Sequence, residues 1–220
     1  MLFIFDMGGV VTTTFHMDAI FNKLKISKED FFGICKQNNR DIWEQLQIGK
    51  ISTEDFWEEF NKSVSKIQRA SLDGLVKVGD TIKFSNPDSF GDIPDIKSDL
   101  FRLYFHPELN NKTVEIINKL KKNNRVVCGT NTIQSHWENH MERGDYSVFH
   151  QTYASNKIGF AKPDPDFFRI IMEAEGFDNP SEVFFTDDRL DNCHASESVG
   201  INTVHFTTAE ELEEKWRKYF

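Results

Sequence analysis

Adjacent carboxylates at the end of an apolar run, as in Phe184-Phe185-Thr186-Asp187-Asp188, repel each other unless a cation joins them, and oxygen ligands of this kind suit Mg²⁺. Another carboxylate, Asp6, ends the apolar run Leu2-Phe3-Ile4-Phe5 and is followed by Gly8-Gly9, where the backbone can come close to a ligand. Lys162, in Gly159-Phe160-Ala161-Lys162-Pro163-Asp164-Pro165, is a cation fixed between a glycine and a proline. Thr130-Asn131-Thr132 offers hydroxyl and amide donors at an expected helix start, where free backbone N–H groups favour an anion. Each feature alone has an ordinary reading: a turn aspartate, a solvated lysine, a helix cap or an acidic loop.

The elements that must position these residues alternate between strand and helix. Leu2–Phe5 reads as a parallel strand buried on both faces, and Val126-Val127-Cys128, Val183–Thr186 and Asn202–Phe206 as further strands. Helices are expected around Glu108–Asn123 and Asp166–Glu175, and Thr208-x-x-Glu211 opens a charged terminal helix. This alternation implies an α/β fold with a doubly wound parallel sheet, in which the carboxyl ends of the strands converge on one crevice. From Phe15 to about Phe101 the pattern is instead helical with scattered aromatics, with Ser27-Lys28-Glu29-Asp30 and Ser52-Thr53-Glu54-Asp55 resembling helix starts. Residues 78–99 read as a long loop. The expected division is a core of residues 1–14 and 102–220 with an inserted helical domain of residues 15–101.

With 39% hydrophobic and 28% charged residues, the 220-residue chain has the composition of a globular protein. Its net charge of -9 and lack of any Lys/Arg-rich run argue against nucleic acid. Cys35, Cys128 and Cys193 match no zinc spacing and read as reduced thiols. There is no cleavable leader pattern and no window near the roughly 20 apolar residues of a membrane helix, so a cytoplasmic location without membrane contact is expected. The sequence leaves the oligomeric state open.

In this order, the four chemical segments resemble the four motifs of the haloacid-dehalogenase-like superfamily. Phe5-Asp6-Met7-Gly8-Gly9-Val10-Val11, Gly129-Thr130-Asn131-Thr132, Lys162-Pro163 and Phe185-Thr186-Asp187-Asp188 carry the resemblance, which spans Leu2–Thr12 and about Leu103–Phe206. The form is most similar to the subfamily of bacterial alpha-D-glucose-1-phosphate phosphatase and the phosphatase domain of soluble epoxide hydrolase. The resemblance implies a Rossmann-like core with a helical cap, and a phosphatase acting on a small phosphorylated metabolite such as a sugar phosphate. Asp6 would attack phosphorus to form an aspartyl-phosphate, with Thr130, Asn131 and Lys162 holding the phosphoryl oxygens. Mg²⁺ would be held by Asp6, the backbone carbonyl of Gly8, and Asp188 or Asp187. Asp187, Asp191 and Asn192 would orient metal waters and Lys162.

The chain departs from the usual pattern at Gly8, where most phosphatases of this superfamily carry an aspartate that protonates the leaving alcohol. General acid–base help is worth about 10²–10⁴-fold. Three explanations fit: a substrate with an acidic leaving group such as an anomeric oxygen, a substitute acid such as His16, or a protein that binds phosphate or a partner without turnover. Metal-independent dehalogenases of the superfamily use the same aspartate but lack the paired carboxylates, so Asp187 and Asp188 favour phosphate. Phe21, Phe31, Phe32, Trp43, Phe56, Trp57 and Phe60 read as core of the helical domain. His106, His136, His140 and His194 form no convincing ligand set, and His136 and His140 are expected on a helix surface.

Overall fold

The computed structural model of the chain describes residues 1–37, 39–72 and 93–220. It divides into two compact units, one of residues 1–15 and 106–220 and one of residues 16–105. Most of the expected loop at residues 78–99 lies outside the described residues.

Along the chain, strand β1 (Leu2–Phe5) comes first and is wholly buried. The second unit follows, with helices α1 (Asp18–Leu24) and α2 (Lys28–Cys35), a two-residue hairpin of β2 (Lys36–Gln37) and β3 (Arg40–Asp41), then α3 (Ile42–Gln47), α4 (Thr53–Leu72) and α5 (Leu100–Tyr104). Its helix starts are capped as the sequence suggests. Ser27 accepts from the Asp30 N–H, while Ser52 and Asp55 cap each other reciprocally. The aromatic side chains are its core: Phe31, Phe56 and Phe60 are fully buried, and Trp57 stacks on Phe101 at 4.6 Å. This contact lies within the expected bound at residue 101. Phe101 and Phe105 are buried hydrophobics that the sequence pattern alone assigned to no face, and the unit runs on to Phe105.

The first unit resumes with α6 (Asn111–Leu120), β4 (Arg125–Thr130), α7 (Gln134–Arg143), β5 (Gln151–Ala154), α8 (Ser155–Ile158), α9 (Pro165–Glu175), β6 (Val183–Asp187), α10 (Leu190–Ser198), β7 (Asn202–His205) and α11 (Ala209–Trp216). Five parallel strands form one sheet in the order β5-β4-β1-β6-β7, which places β1 at its centre. The alternation of side chains along a strand sorts the core into two layers. Phe3 and Phe5 pack with Val126, Ile117 and Trp216 on one face, and Leu2 and Ile4 with Val127, Phe167, Ile171 and Phe185 on the other. Helices α6 and α11 thus cover one face and α9 the other, giving the expected doubly wound architecture. Burying each of these large apolar side chains contributes about 1.5–3 kcal/mol. Strand β5 was not legible in sequence, because its residues Gln151-Thr152-Tyr153-Ala154 lie at the sheet edge and are only partly apolar.

Among the described residues no helix is long and apolar enough to cross a membrane. Cys35, Cys128 and Cys193 are buried and unbridged. His136 and His140 are not on a surface: both are buried, His136 with its ring edge-on to Phe15 and His140 with Nδ1 2.8 Å from Asp145 Oδ2. The i, i+4 spacing shows only that they share a helix face, and here that face points inward.

Candidate active site

Asp6 follows the last residue of the central strand, and its N–H donates to the Thr186 carbonyl at 3.0 Å, fixing it beside the end of β6. Asp187 ends β6 and is fully buried. Between them stands Lys162, whose side chain is 1% exposed. Its Nζ donates to Asp6 Oδ1 at 2.7 Å, to Asp187 Oδ2 at 2.6 Å and to the Gly129 carbonyl at 2.9 Å, using all three of its protons.

The close approach of β4 to the core explains the glycine that Lys162 reaches. A Cβ at Gly129 would come within 2.8 Å of the Ile4 side chain. The Lys162 backbone is held separately, with its N–H donating to Asn131 Oδ1 at 2.8 Å and its carbonyl accepting from Asn131 Nδ2 at 2.7 Å. Two bonds between one side-chain amide and the main chain on both sides of one residue leave the lysine little freedom to drift.

Asp187 is saturated with donors. Besides Lys162, Asn192 Nδ2 donates to both of its oxygens at 3.0 Å, and the Arg189 N–H donates to Oδ1 at 2.9 Å. Asp188 is the more open of the pair. Ligand atoms of Asp6, Asp187 and Asp188 lie within 4.8 Å of one another. One cation therefore faces three carboxylates, which leaves a surplus of negative charge in a largely buried place.

The electrostatics follow from that imbalance. Burial pushes the Asp6 carboxyl up to about 7, with Lys162 opposing and Asp187 adding to the rise. Asp188 is raised by burial and then by Asp187. For Lys162, burial disfavours the ammonium, but Asp6 and Asp187 outweigh it and the net shift is upward. The surplus can be relieved by taking up protons or by binding a cation. An all-oxygen donor set favours a hard divalent ion.

Of the residues singled out from sequence, the fold brings Asp6, Lys162, Asp187, Asp188 and Asn192 together. Thr130 is buried at the end of β4, and Asn131 and Thr132 follow it in a loop. They do not open the helix, because α7 begins three residues later after Ile133, which gives no side-chain cap. Asn131 engages the Lys162 main chain, so it holds the lysine in place of standing open to a ligand. Asp191 is not drawn in: its carboxylate pairs with Arg189 at 2.6 Å and is 48% exposed, because the first turn of α10 points it outward. Gly8 has open space where a Cβ would stand, so packing does not demand a glycine there. His16 falls in the second unit.

Sequence reasoning missed Ser155 and His205. Ser155 Oγ accepts from the Thr132 N–H at 2.9 Å and donates to its carbonyl at 3.1 Å, bracing the loop after β4. Nothing in the local pattern marks it. His205 ends β7, whose Asn202-Thr203-Val204-His205 has a single apolar residue, so no buried apolar run draws attention to it.

The profile of a family described as haloacid dehalogenase-like hydrolase matches residues 1–200. Among characterised proteins, the sesquiterpene phosphatase astK of Aspergillus oryzae is 24% identical over 206 residues, covering 93% of this chain and 88% of that protein. The drimenol cyclase drtB of Aspergillus calidoustus is 32% identical over 77 residues, 34% of this chain, and the match spans 14% of that longer protein. Among solved structures, the HAD family enzyme bt-2542 of Bacteroides thetaiotaomicron superposes with a TM-score of 0.68 at 21% identity, covering 98% of this chain and 97% of that one. The same enzyme in complex with magnesium and inorganic phosphate gives a TM-score of 0.62 at 21% identity, over 94% and 93% of the two chains. At these identities the structural likeness is one of fold.

Proposed function

Because the chain belongs to the haloacid dehalogenase-like hydrolase family, we propose that it is a Mg²⁺-dependent phosphatase that transfers a phosphoryl group from a small organic phosphate to Asp6 and then to water. The observation that carries this reading is the surplus of carboxylate around Lys162: three acids whose ligand atoms lie within 4.8 Å, one of them at the end of the central strand. A metal-free displacement of halide from carbon gives no reason to gather two further acids beside the nucleophile.

The donor set fits the ion. Asp6 and Asp188 would hold Mg²⁺ together with the Gly8 carbonyl, while Asp187, already saturated by Lys162, Asn192 and the Arg189 N–H, would orient Lys162. When bound, the ion shields nucleophile and phosphate from each other and stabilises charge on the transferring oxygens. The protein's own groups do the rest. Lys162 favours the anionic form of Asp6 against the effect of burial and would offer positive charge to the incoming phosphoryl group. Thr130, at the end of the neighbouring strand, would offer its hydroxyl to a phosphoryl oxygen. The sesquiterpene phosphatase relative and the magnesium and phosphate complex of the bacterial enzyme support the same reading.

Gly8 supplies no proton, so leaving groups that depart as stable anions, such as aryl and anomeric oxygens, should be favoured over simple alkyl ones. The resemblance to sugar phosphate phosphatases and the terpenoid phosphatase relative set the first panel: sugar 1-phosphates, sugar 6-phosphates, an isoprenoid monophosphate and p-nitrophenyl phosphate, each with Mg²⁺ or EDTA. Phosphate release that needs Mg²⁺ and falls at least about 10³-fold in Asp6→Asn is the expected result. If no compound is turned over above the Asp6→Asn background, the chain is a binding protein; halide release without metal from a haloacid would make it a dehalogenase.

A further inference from the structure

Asp188 differs from its neighbour Asp187 in how it is held. Asp187 is fixed through its carboxylate, by donors on Lys162, Asn192 and Arg189. Asp188 is held through its main chain. Parallel pairing sets Asp187 opposite His205 at the ends of β6 and β7. From there the Phe206 N–H donates to the Asp187 carbonyl at 2.8 Å, and His205 Nε2 lies 2.9 Å from the Asp188 carbonyl oxygen. A carbonyl only accepts, so Nε2 carries the proton and the tautomer is fixed. Successive carbonyls of the acid pair are thus anchored to one strand, the second of them by a side chain.

The other side of Asp188 is fitted just as closely. Its Oδ2 would stand 2.2 Å from a Cβ at Gly9, whose φ of +84° is itself one that favours glycine. The carboxylate therefore lies over bare backbone just after the nucleophile, in space that a side chain at residue 9 would fill. Its main chain is anchored on one side, and on the other the bare backbone of Gly9 leaves the space its carboxylate occupies.

The geometry points to His205 as a positioning residue for the cation site: its Nε2–H on the Asp188 carbonyl fixes where the Asp188 carboxylate stands relative to Asp6. His205 touches neither phosphate nor metal and acts only through Asp188. The inference rests on the Mg²⁺ site of the proposed function and goes beyond it in naming the residue that sets its affinity. Partners that orient a metal ligand are typically worth about 10–100-fold in affinity.

Calorimetric titration of Mg²⁺ into the metal-free protein, without substrate, tests this directly. In His205→Leu the donor is lost, and Mg²⁺ affinity should fall at least about tenfold. In His205→Gln the amide nitrogen occupies nearly the place of Nε2, and affinity should stay within about threefold of wild type, inside the scatter of a single hydrogen bond. Thermal unfolding of both variants in EDTA should match wild type, which separates positioning from a general loss of fold. Unchanged affinity in His205→Leu overturns the inference. So does an equal loss in both variants, since the hydrogen bond would then not be the cause. If His205→Leu is destabilised in EDTA, the His205→Gln titration decides: wild-type affinity supports the inference and a tenfold loss defeats it. Absence of Mg²⁺ binding to the wild type would overturn this inference and the proposed metal dependence together. Wild-type binding with an indifferent leucine variant overturns the role of His205 alone.

Discussion

Strand β4 carries a charge cluster at each end, and the two are built on opposite principles. At its start, Arg125 makes a two-pronged pair with Glu175 at 2.6 and 3.0 Å, and the Tyr153 hydroxyl donates to the same carboxylate at 2.8 Å. One cation meets one anion. Burial works against the Glu175 carboxylate, but Arg125 and Tyr153 outweigh it and hold its carboxyl below the usual range. At the far end Lys162 reaches the Gly129 carbonyl and two carboxylates with a third close by, and the Asp6 carboxyl is pushed up to about 7. A balanced pair lowers the acid's pKa, whereas a surplus of acids raises it. The first arrangement ties α9 to the sheet. The second is incomplete until another cation arrives, which is what a site requires.

The most severe way to break this contrast is to remove the buried cation. Lys162→Met should lower phosphate release by about 10²–10³-fold, the usual cost of losing a donor aimed at developing charge. It should also destabilise the metal-free protein by about 3–5 kcal/mol, because Asp6 and Asp187 lose their shared partner. Added Mg²⁺ should restore part of the stability and none of the activity. Urea unfolding with and without Mg²⁺, beside phosphate release from p-nitrophenyl phosphate, measures both. A variant as stable as wild type in EDTA would mean that Lys162 is not what keeps the acids compatible.

The opposite pKa shifts give a gentler test, in which sign is the readout. Asp6 is raised on folding, so between its ordinary value of 3.8 and about 7 the folded state holds more protons than the unfolded one. The stability it contributes is therefore present at acid pH and lost as pH rises toward about 7. Glu175 is lowered, so its contribution is present above its ordinary value and lost as pH falls through the folded one. Urea unfolding in EDTA at pH 5 and pH 8 should show wild type losing stability at the higher pH. Asp6→Asn should lose less, and Glu175→Gln should keep the wild-type slope. A slope equally steep in Asp6→Asn would assign the titration to another group.

How far these clusters were legible in sequence depends on how far their bonds run along the chain. The apolar runs ending in Asp6 and Asp187 could be read locally, because a strand buried on both faces leaves a distinctive pattern and its polar end stands out. Helix starts such as Ser52 to Asp55 are equally local. The roles of Asn131 and His205 could not be read in this way. Asn131 acts on a residue 31 positions away and His205 on one 17 positions away, and only the sheet order brings them together. Asp191 illustrates the reverse error: an acid within an acidic segment was expected at the site, but at the start of α10 it turns outward to Arg189, two residues before it. The edge strand β5 and the residue at which the helical unit ends were obscured by weak patterning.

The smallest expected effect lies at the start of β4 and sharpens the contrast most. Arg125 is 41% exposed while Glu175 is 5% exposed, so solvent screens the guanidinium and weakens what the pair is worth. Arg125→Met keeps an apolar stem over the same surface, and Glu175 keeps the Tyr153 hydroxyl. The expected cost is about 1 kcal/mol or less, read as a small shift in the urea midpoint at an unchanged slope, with phosphate release at the wild-type rate. A loss comparable to that of Lys162→Met would show that charge balance does not distinguish the two ends of the strand. Unchanged turnover with a small stability loss would place catalysis at the end where the charges do not balance.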